Sequence, residues 1–474
     1  MSTYTVPFVI GGEERLVEKT FDLISPDTGK VLHKCGIATE EDARAAIEAA
    51  AAAGRQWRNS SIAERRDIIL RAAEIIDRRK EELATYLLNE VGAERGLADF
   101  NLTTIVNMAK DVAGRVSAVE GSVPSCGQGR TALLVKEPYG VVLALAPWNA
   151  PYILGLRAVL YPIAAGCTVV FKGSELSPRS HHAIVSILYE AGLPKGVLNY
   201  IVTDPAHAPS VTESLISNPH VKKINFTGST AVGKIIAKMA GQYLKPLVLE
   251  LGGKAPAIVW EDADLDVAAE QCALGAFVFS GQVCMSTERI IVHKKISEAF
   301  KEKLVATIEN MFPSKGDAAV LISSRGVDKN RTLLKDAIGK GAVILHGDVD
   351  ATESTKTRMR PIVAGKVTSE MDLYKQESFG MSVSVIEVET EEEALRIAND
   401  TEYGLASAVF TEDLKVGLRF ARGIETGAVH INNMTVHDEP TLPHGGTKES
   451  GYGRFNAMNG IEEWVRTKII TWRD

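Results

Sequence analysis

A chain of 474 residues is longer than one hydrophobic core usually holds, so two or three lobes are expected. Its 53 basic and 60 acidic residues leave a formal charge of −7 with no basic tract, which argues against a nucleic-acid partner. The stretch Met1-Ser2-Thr3-Tyr4-Thr5-Val6-Pro7 has neither a charged n-region nor an apolar h-region. The most apolar run, 159–171, is interrupted by Pro162 and Gly166, so the expectation is a soluble cytoplasmic protein with no membrane span.

Taken in chain order, 40–53 and 62–88 carry apolar residues at helical spacing with charges between them, and each predicts an amphipathic helix. Residues 130–136 alternate in the manner of a half-buried strand. Short β-rich runs then recur at 141–145, 168–171, 197–202 and 223–226, separated by helical segments, which is the signature of βαβ units on a parallel sheet. After Gly252 a second α/β series follows. Its strand-like runs are 256–260, 289–292, 342–345 and 382–388, with helical patterns at 264–279 and 296–311. The β-rich run Lys468-Ile469-Ile470-Thr471-Trp472 closes the chain.

Five cysteines, Cys35, Cys126, Cys167, Cys272 and Cys284, are scattered without a CxxC pair, so neither a zinc site nor a disulfide framework is indicated. Four of them read as small buried hydrophobes. Cys284 differs, because it stands in Phe279-Ser280-Gly281-Gln282-Val283-Cys284-Met285, and 34 residues earlier the chain runs Leu249-Glu250-Leu251-Gly252-Gly253-Lys254. A thiol and a carboxylate on separate glycine-flanked loops are the groups needed to form and then hydrolyse a thioester. His437, Asp438 and Glu439 form a polar cluster whose spacing does not support a metal site, and no metal is expected.

Five further motifs accompany this pair: Pro147-Trp148-Asn149, Phe171-Lys172-Gly173-Ser174-Glu175, Phe226-Thr227-Gly228-Ser229-Thr230, Glu377-Ser378-Phe379-Gly380 and Pro443-His444-Gly445-Gly446. In this order the chain resembles the aldehyde dehydrogenase superfamily nearly end to end. The resemblance implies an α/β fold with a Rossmann-type cofactor domain (1–118 and 139–250), an α/β catalytic domain (251–446) and a small oligomerisation sheet from 119–138 and 460–474. It also implies a homodimer or homotetramer acting on a small-molecule aldehyde.

By the same resemblance Cys284 is the nucleophile, and Asn149 with the Cys284 backbone N–H holds the oxyanion. Glu250 activates the hydrolytic water. NAD is the implied cofactor, with Trp148, Lys172, Ser174, Glu175, Gly228, Ser229, Gly233, Leu251, Glu377 and Phe379 around it. The 226–233 segment follows a strand and opens a helix, so its free N–H groups and the Ser229 hydroxyl are expected to meet the pyrophosphate. A carboxylate at Glu175 accepts hydrogen bonds from both ribose hydroxyls and repels a 2′-phosphate, favouring NAD over NADP.

Some relatives carry a Lys–Glu pair that relays protons from the base. Those positions hold Ala158 and Arg466 here, which puts the relay in doubt. Where many relatives have a glycine-rich turn, this chain reads Thr203-Asp204-Pro205-Ala206-His207-Ala208-Pro209, which is similar to the aromatic-aldehyde branch that includes salicylaldehyde, vanillin and benzaldehyde dehydrogenases. The substrate positions fall on Ala150, Ile153, Leu154 and Arg157, which recur at helical spacing on one face. Arg157 either packs its stem on the core with its head in water, or stacks on an aryl ring or binds its oxygen. Two other readings stay open: a CoA-acylating or broad aliphatic enzyme, and a structural protein on the same fold.

Overall fold

The computed structural model describes residues 4–127, 129–313 and 315–473. Met1, Ser2 and Thr3, part of the N-terminal stretch inspected above for a leader, lie outside the described residues. No described helix is long and apolar enough to cross a membrane.

Two large sheets dominate. The first has eight strands, and its centre is five parallel strands in the order Leu247–Glu250, Val221–Thr227, Val141–Leu145, Thr168–Lys172, Leu198–Ile201. Helices Pro151–Ala164, Pro178–Glu190, Ala208–Ser217 and Thr230–Gln242 connect these strands, as parallel pairing requires. Both faces are covered, so the strands read as near-continuous apolar runs; all five residues of Val141–Leu145 are buried. Phe8–Ile10 and Glu13–Arg15 extend one edge antiparallel. At the other edge Gly451–Tyr452 returns from far along the chain to pair antiparallel with Leu249 and Glu250.

The second sheet has seven strands, parallel except for the edge strand Val343–His346. Its order is Val343–His346, Ile362–Gly365, Ser382–Val388, Thr287–His293, Ala255–Val259, Ala406–Phe410, Ala428–Ile431. One hydrophobic core gathers residues from Val6 to Leu251 together with Phe455, Ile461, Trp464 and Val465, and a separate core spans Ala257 to Ile424. Outside both sheets, Arg130–Pro138 pairs antiparallel with Val465–Arg473 over nine residue pairs, leaving Ile469, Ile470 and Trp472 exposed.

Local chemistry sets the element ends. Thr39 and Asp42 form a reciprocal capping box at the start of Glu40–Trp57. The continuous helix predicted over 62–88 is two helices, Ile62–Arg78 and Lys80–Val91, broken where Arg79 leaves helical geometry. Helix Arg95–Arg115, which periodicity did not reveal, has an exposed stripe that carries Phe100, Gly96 and Gly114 and a buried face that carries Asn101 and Thr104, so polar and apolar residues do not separate cleanly between its faces. Pro162 lies in the last turn of Pro151–Ala164 and cannot donate to the Ala158 carbonyl; the Asn225 amide donates to that carbonyl instead, at 3.4 Å.

Candidate active site

The motifs converge on the cleft between the two lobes. From the first sheet, Trp148 and Asn149 follow strand Val141–Leu145, Ser174 and Glu175 follow Thr168–Lys172, Gly228 and Ser229 follow Val221–Thr227, and Glu250 ends Leu247–Glu250. All sit at the carboxyl edge, where open α/β sheets place their ligands. From the second lobe, Cys284 lies in the turn before strand Thr287–His293, and Glu377 and Phe379 lie just before Ser382–Val388.

Cys284 Sγ stands 3.6 Å from Glu250 Oε1, which brings together two groups 34 residues apart in the chain. Close backbone approach makes this pairing feasible. A Cβ at Gly253 would fall 2.2 Å from the Cys284 carbonyl oxygen, so only glycine lets the loop after Glu250 press against the turn that carries the thiol. That turn is itself pinned. Gln282 is buried, its amide oxygen accepts from Ile322 N at 2.8 Å, and Phe279 and Ser280 beside it are held at φ +51° and +56°. The Asn149 side-chain amide donates to the Gln282 carbonyl at 2.9 Å. An amide has two N–H donors, so one is anchored across the cleft and the other is free for a ligand beside the thiol.

Electrostatics sets the resting protonation. Burial, and then the Glu250 and Glu377 carboxylates, push the Cys284 thiol well above its ordinary value, so the resting group is a neutral thiol that needs a base to become nucleophilic. Glu250 is itself almost fully buried. Burial pushes its pKa up, but His444 and Arg157 outweigh that effect and hold the carboxyl below its usual value. His444 Nε2 lies 3.1 Å from Glu250 Oε1, and Arg157 Nη1 lies 3.4 Å from Glu250 Oε2. A thiol beside an ionised carboxylate, faced by an amide donor, can add to a carbonyl and later hydrolyse the resulting ester.

The cofactor positions line the same cleft. Lys172 and Glu175 flank the loop whose Ser174 N–H donates to His181 Nδ1 at 3.1 Å. The Ser229 hydroxyl caps helix Thr230–Gln242 by accepting from Val232 N at 3.4 Å, so at rest it serves the helix. Gly233 packs on Leu251, 2.5 Å from where a Cβ would sit, which keeps this helix N-terminus close to the Glu250 strand. Glu377 accepts from Gly253 N at 2.9 Å, and burial, followed by the charge of Glu288, pushes its pKa up to about 7. Trp148 meets the Phe379 ring edge to face at 6.0 Å. An uncapped loop lip, a helix N-terminus and a carboxylate with a second oxygen to offer fit a dinucleotide with ribose hydroxyls and a pyrophosphate.

Ala150, Ile153, Leu154 and Arg157 occupy the start of helix Pro151–Ala164, behind Asn149. Arg157 is 1 % exposed, so its head is not in water. It ion-pairs with Asp438 as well as Glu250, while its Nε is buried without a hydrogen-bond partner. Asp438 also accepts from the Asn456 amide at 2.9 Å. Ala158 is buried beneath this group, and Arg466 lies 3.6 Å from Glu137 on the two-stranded ribbon. In the sequence Asp438 belongs only to a polar cluster, and His444 only to the Pro443-His444-Gly445-Gly446 motif. His444 partners Glu250 across 194 residues and Asp438 partners Arg157 across 281, separations for which local pattern carries no signal.

Comparison with known proteins agrees with this geometry. The model of the aldehyde dehydrogenase family matches residues 13–470. The chain is 43 % identical to a vanillin dehydrogenase of Pseudomonas sp. strain HR199, covering 99 % of this chain and 98 % of that one. It is 39 % identical to a salicylaldehyde dehydrogenase of Pseudomonas sp. strain C18, covering 96 % and 95 %. Among solved structures, a salicylaldehyde dehydrogenase from Pseudomonas putida G7 in complex with salicylaldehyde superposes with a TM-score of 0.95 at 38 % identity, over 99 % of this chain and 98 % of that one. The thiol and the carboxylate therefore lie in an enzyme whose lineage is plain: the chain belongs to the aldehyde dehydrogenase family.

Proposed function

We propose that this protein oxidises aromatic aldehydes to carboxylic acids with NAD, through a thioester that water hydrolyses. The observation that carries the reading is the 3.6 Å approach of Cys284 Sγ to Glu250 Oε1. Glu250 takes the thiol proton as Sγ adds to the aldehyde carbonyl, and the free N–H of Asn149 with the Cys284 backbone N–H receives the oxyanion. Bound NAD would supply the hydride acceptor. Glu377, Phe379 and Trp148 would hold the nicotinamide end, while Lys172, Ser174, Glu175, Gly228, Ser229, Gly233 and Leu251 would hold the rest. Glu250 then takes a proton from the water that attacks the thioester.

A buried carboxylate beside the thiol favours hydrolysis over transfer to a second thiol. Glu250→Gln should release one rapid burst of NADH and stall as acyl-enzyme. If neither burst nor trapped acyl-enzyme forms, hydrolysis is not the role of Glu250.

The aromatic preference rests on the similarity to vanillin and salicylaldehyde dehydrogenases and on Arg157. Its unpartnered buried Nε beside Ala150, Ile153 and Leu154 is the donor for a ring oxygen. In a panel scored by kcat/KM, hydroxybenzaldehydes should outperform hexanal, and Arg157→Ala should raise KM more for the former. A wild-type preference for hexanal would leave a broad aliphatic enzyme as the better reading. The ribbon of Arg130–Pro138 and Val465–Arg473, with its exposed Ile469, Ile470 and Trp472, is the surface on which a cytoplasmic homodimer or homotetramer would assemble.

A further inference from the structure

A base with 1 % of its side chain exposed cannot pass its proton to bulk water directly; a neighbour must take it. Four groups surround the Glu250 carboxylate. Cys284 is the group being deprotonated or acylated. Arg157 has no acceptor atom and stays protonated. Asp438 lies behind Arg157, its two oxygens engaged by that guanidinium and by Asn456. The fourth is His444, whose Nε2 lies 3.1 Å from Glu250 Oε1, the same oxygen that faces Sγ.

We propose that His444 is a positioning residue for the base, resting on the hydrolytic reading above: it takes the proton that Glu250 collects and releases it to solvent.

Three observations carry this assignment. Imidazole is the side chain that accepts and releases a proton near neutral pH. The side chain of His444 keeps 10 % of its surface exposed where that of Glu250 keeps 1 %, so the proton moves outward along a gradient of solvent access. The backbone is also fixed, because His444 and Phe455 exchange both N–H···O bonds, at 2.9 and 2.7 Å. The charged and titratable groups facing this ring come from every element around it. Glu250 ends its strand, Arg157 lies on the helix beneath, Asp438 in the preceding loop and His430 on strand Ala428–Ile431.

In the step proposed, the water oxygen bonds to the thioester carbon and the C–S bond breaks, its electron pair returning to Sγ as thiolate. One water proton stays on the carboxylic acid and the other goes to Glu250 Oε1. From there it passes to His444 Nε2 as the proton on Nδ1 leaves to solvent, so the ring ends as the Nε2–H donor to the ionised Glu250 carboxylate. The Sγ thiolate takes up a proton from solvent, which restores the neutral thiol, and Glu250 ends ionised, ready for another turnover.

The test compares wild type with His444→Gln, which can hydrogen-bond but cannot take a proton, and with His444→Ala. With saturating NAD and a hydroxybenzaldehyde, the Gln variant should retain an NADH burst of about one per site while steady-state kcat falls at least about tenfold. Its acid limb of kcat against pH should move to higher pH, because His444 helps hold the Glu250 carboxyl below its usual value. Added imidazole should restore turnover to the Ala variant. A Gln variant with wild-type kcat and an unmoved acid limb overturns the proposal, as does loss of the burst along with turnover, or loss of turnover in the Ala variant that imidazole does not rescue. Should wild type form acyl-enzyme but release it only to an added thiol, the hydrolytic reading fails instead.

Discussion

The two lobes meet the cleft from opposite ends of their strands. In the first lobe, Asn149, Glu175, Ser229 and Glu250 all lie where strands end. In the second, Lys254, Cys284 and Glu377 lie where strands begin. Carboxyl-end loops open into helix N-termini and carry free N–H groups suited to an anionic cofactor. The amino-end loops have no such dipole to offer and are stiffened from within. Lys254 is ion-paired to Glu288, whose carboxylate accepts from Ser378 N and Phe379 N at 2.8 and 3.1 Å. In the mechanism proposed above, one lobe would thus supply the base and most binding groups, and the other would hold the nucleophile.

Cys284→Ala would break the second lobe's contribution and leave the first intact. NADH formation should fall by on the order of 10⁴-fold or more while NAD binding, followed by quenching of protein fluorescence, stays near wild type. Substantial turnover would remove the nucleophile assignment. Gly253→Ala attacks the seam itself, placing a methyl carbon 2.2 Å from the Cys284 carbonyl oxygen. A displacement of about 1 Å between thiol and base should lower kcat about 100-fold, and the same strain should lower Tm by a few degrees, roughly as overpacking by 1–3 kcal/mol does. Unchanged kinetics would mean the lobes dock loosely.

The remaining predictions sharpen the division of labour. Glu377 has a pKa pushed up to about 7, and its ionised form is the better acceptor for ribose hydroxyls. NAD affinity should therefore strengthen as pH rises through 7 and weaken below it, by about tenfold across one pH unit at most. Titrations of Glu377→Gln should lose that dependence. The smallest effect belongs to Glu175→Gln, which should narrow the preference for NAD over NADP by about fivefold, the scale of a half-exposed charge worth about 1 kcal/mol. Equal wild-type kcat/KM for both cofactors would contradict the role given to this carboxylate.

What was legible in the sequence follows from which signals are local. The central strands at 141–145 and 382–388 are continuous buried runs between turns, and both lie where periodicity placed them. The thiol and carboxylate stood out because glycine-flanked turns are local chemistry. Helix Arg95–Arg115 was hidden because Phe100 and two glycines lie on its exposed stripe while Asn101 and Thr104 are buried, and the short N-terminal strands Thr20–Ile24 and Val31–Gly36 by their mixed exposure. The environment of Glu250 was the least legible part. His444, Asp438 and Arg157 reach it from the C-terminal loop and a buried helix, and no spacing rule connects residues 93 to 194 positions away from it.

The antiparallel return of Gly451–Tyr452 onto Leu249 and Glu250 has a consequence for how the molecule can be cut. The last two dozen residues complete the first lobe, contributing Phe455, Ile461, Trp464 and Val465 to its core. The first lobe is therefore not excisable as one continuous fragment, and a nick between the lobes would leave two pieces still interleaved. Truncation before Gly451 would expose the ladder groups of the strand that ends in Glu250, turning a covered edge into an aggregation template.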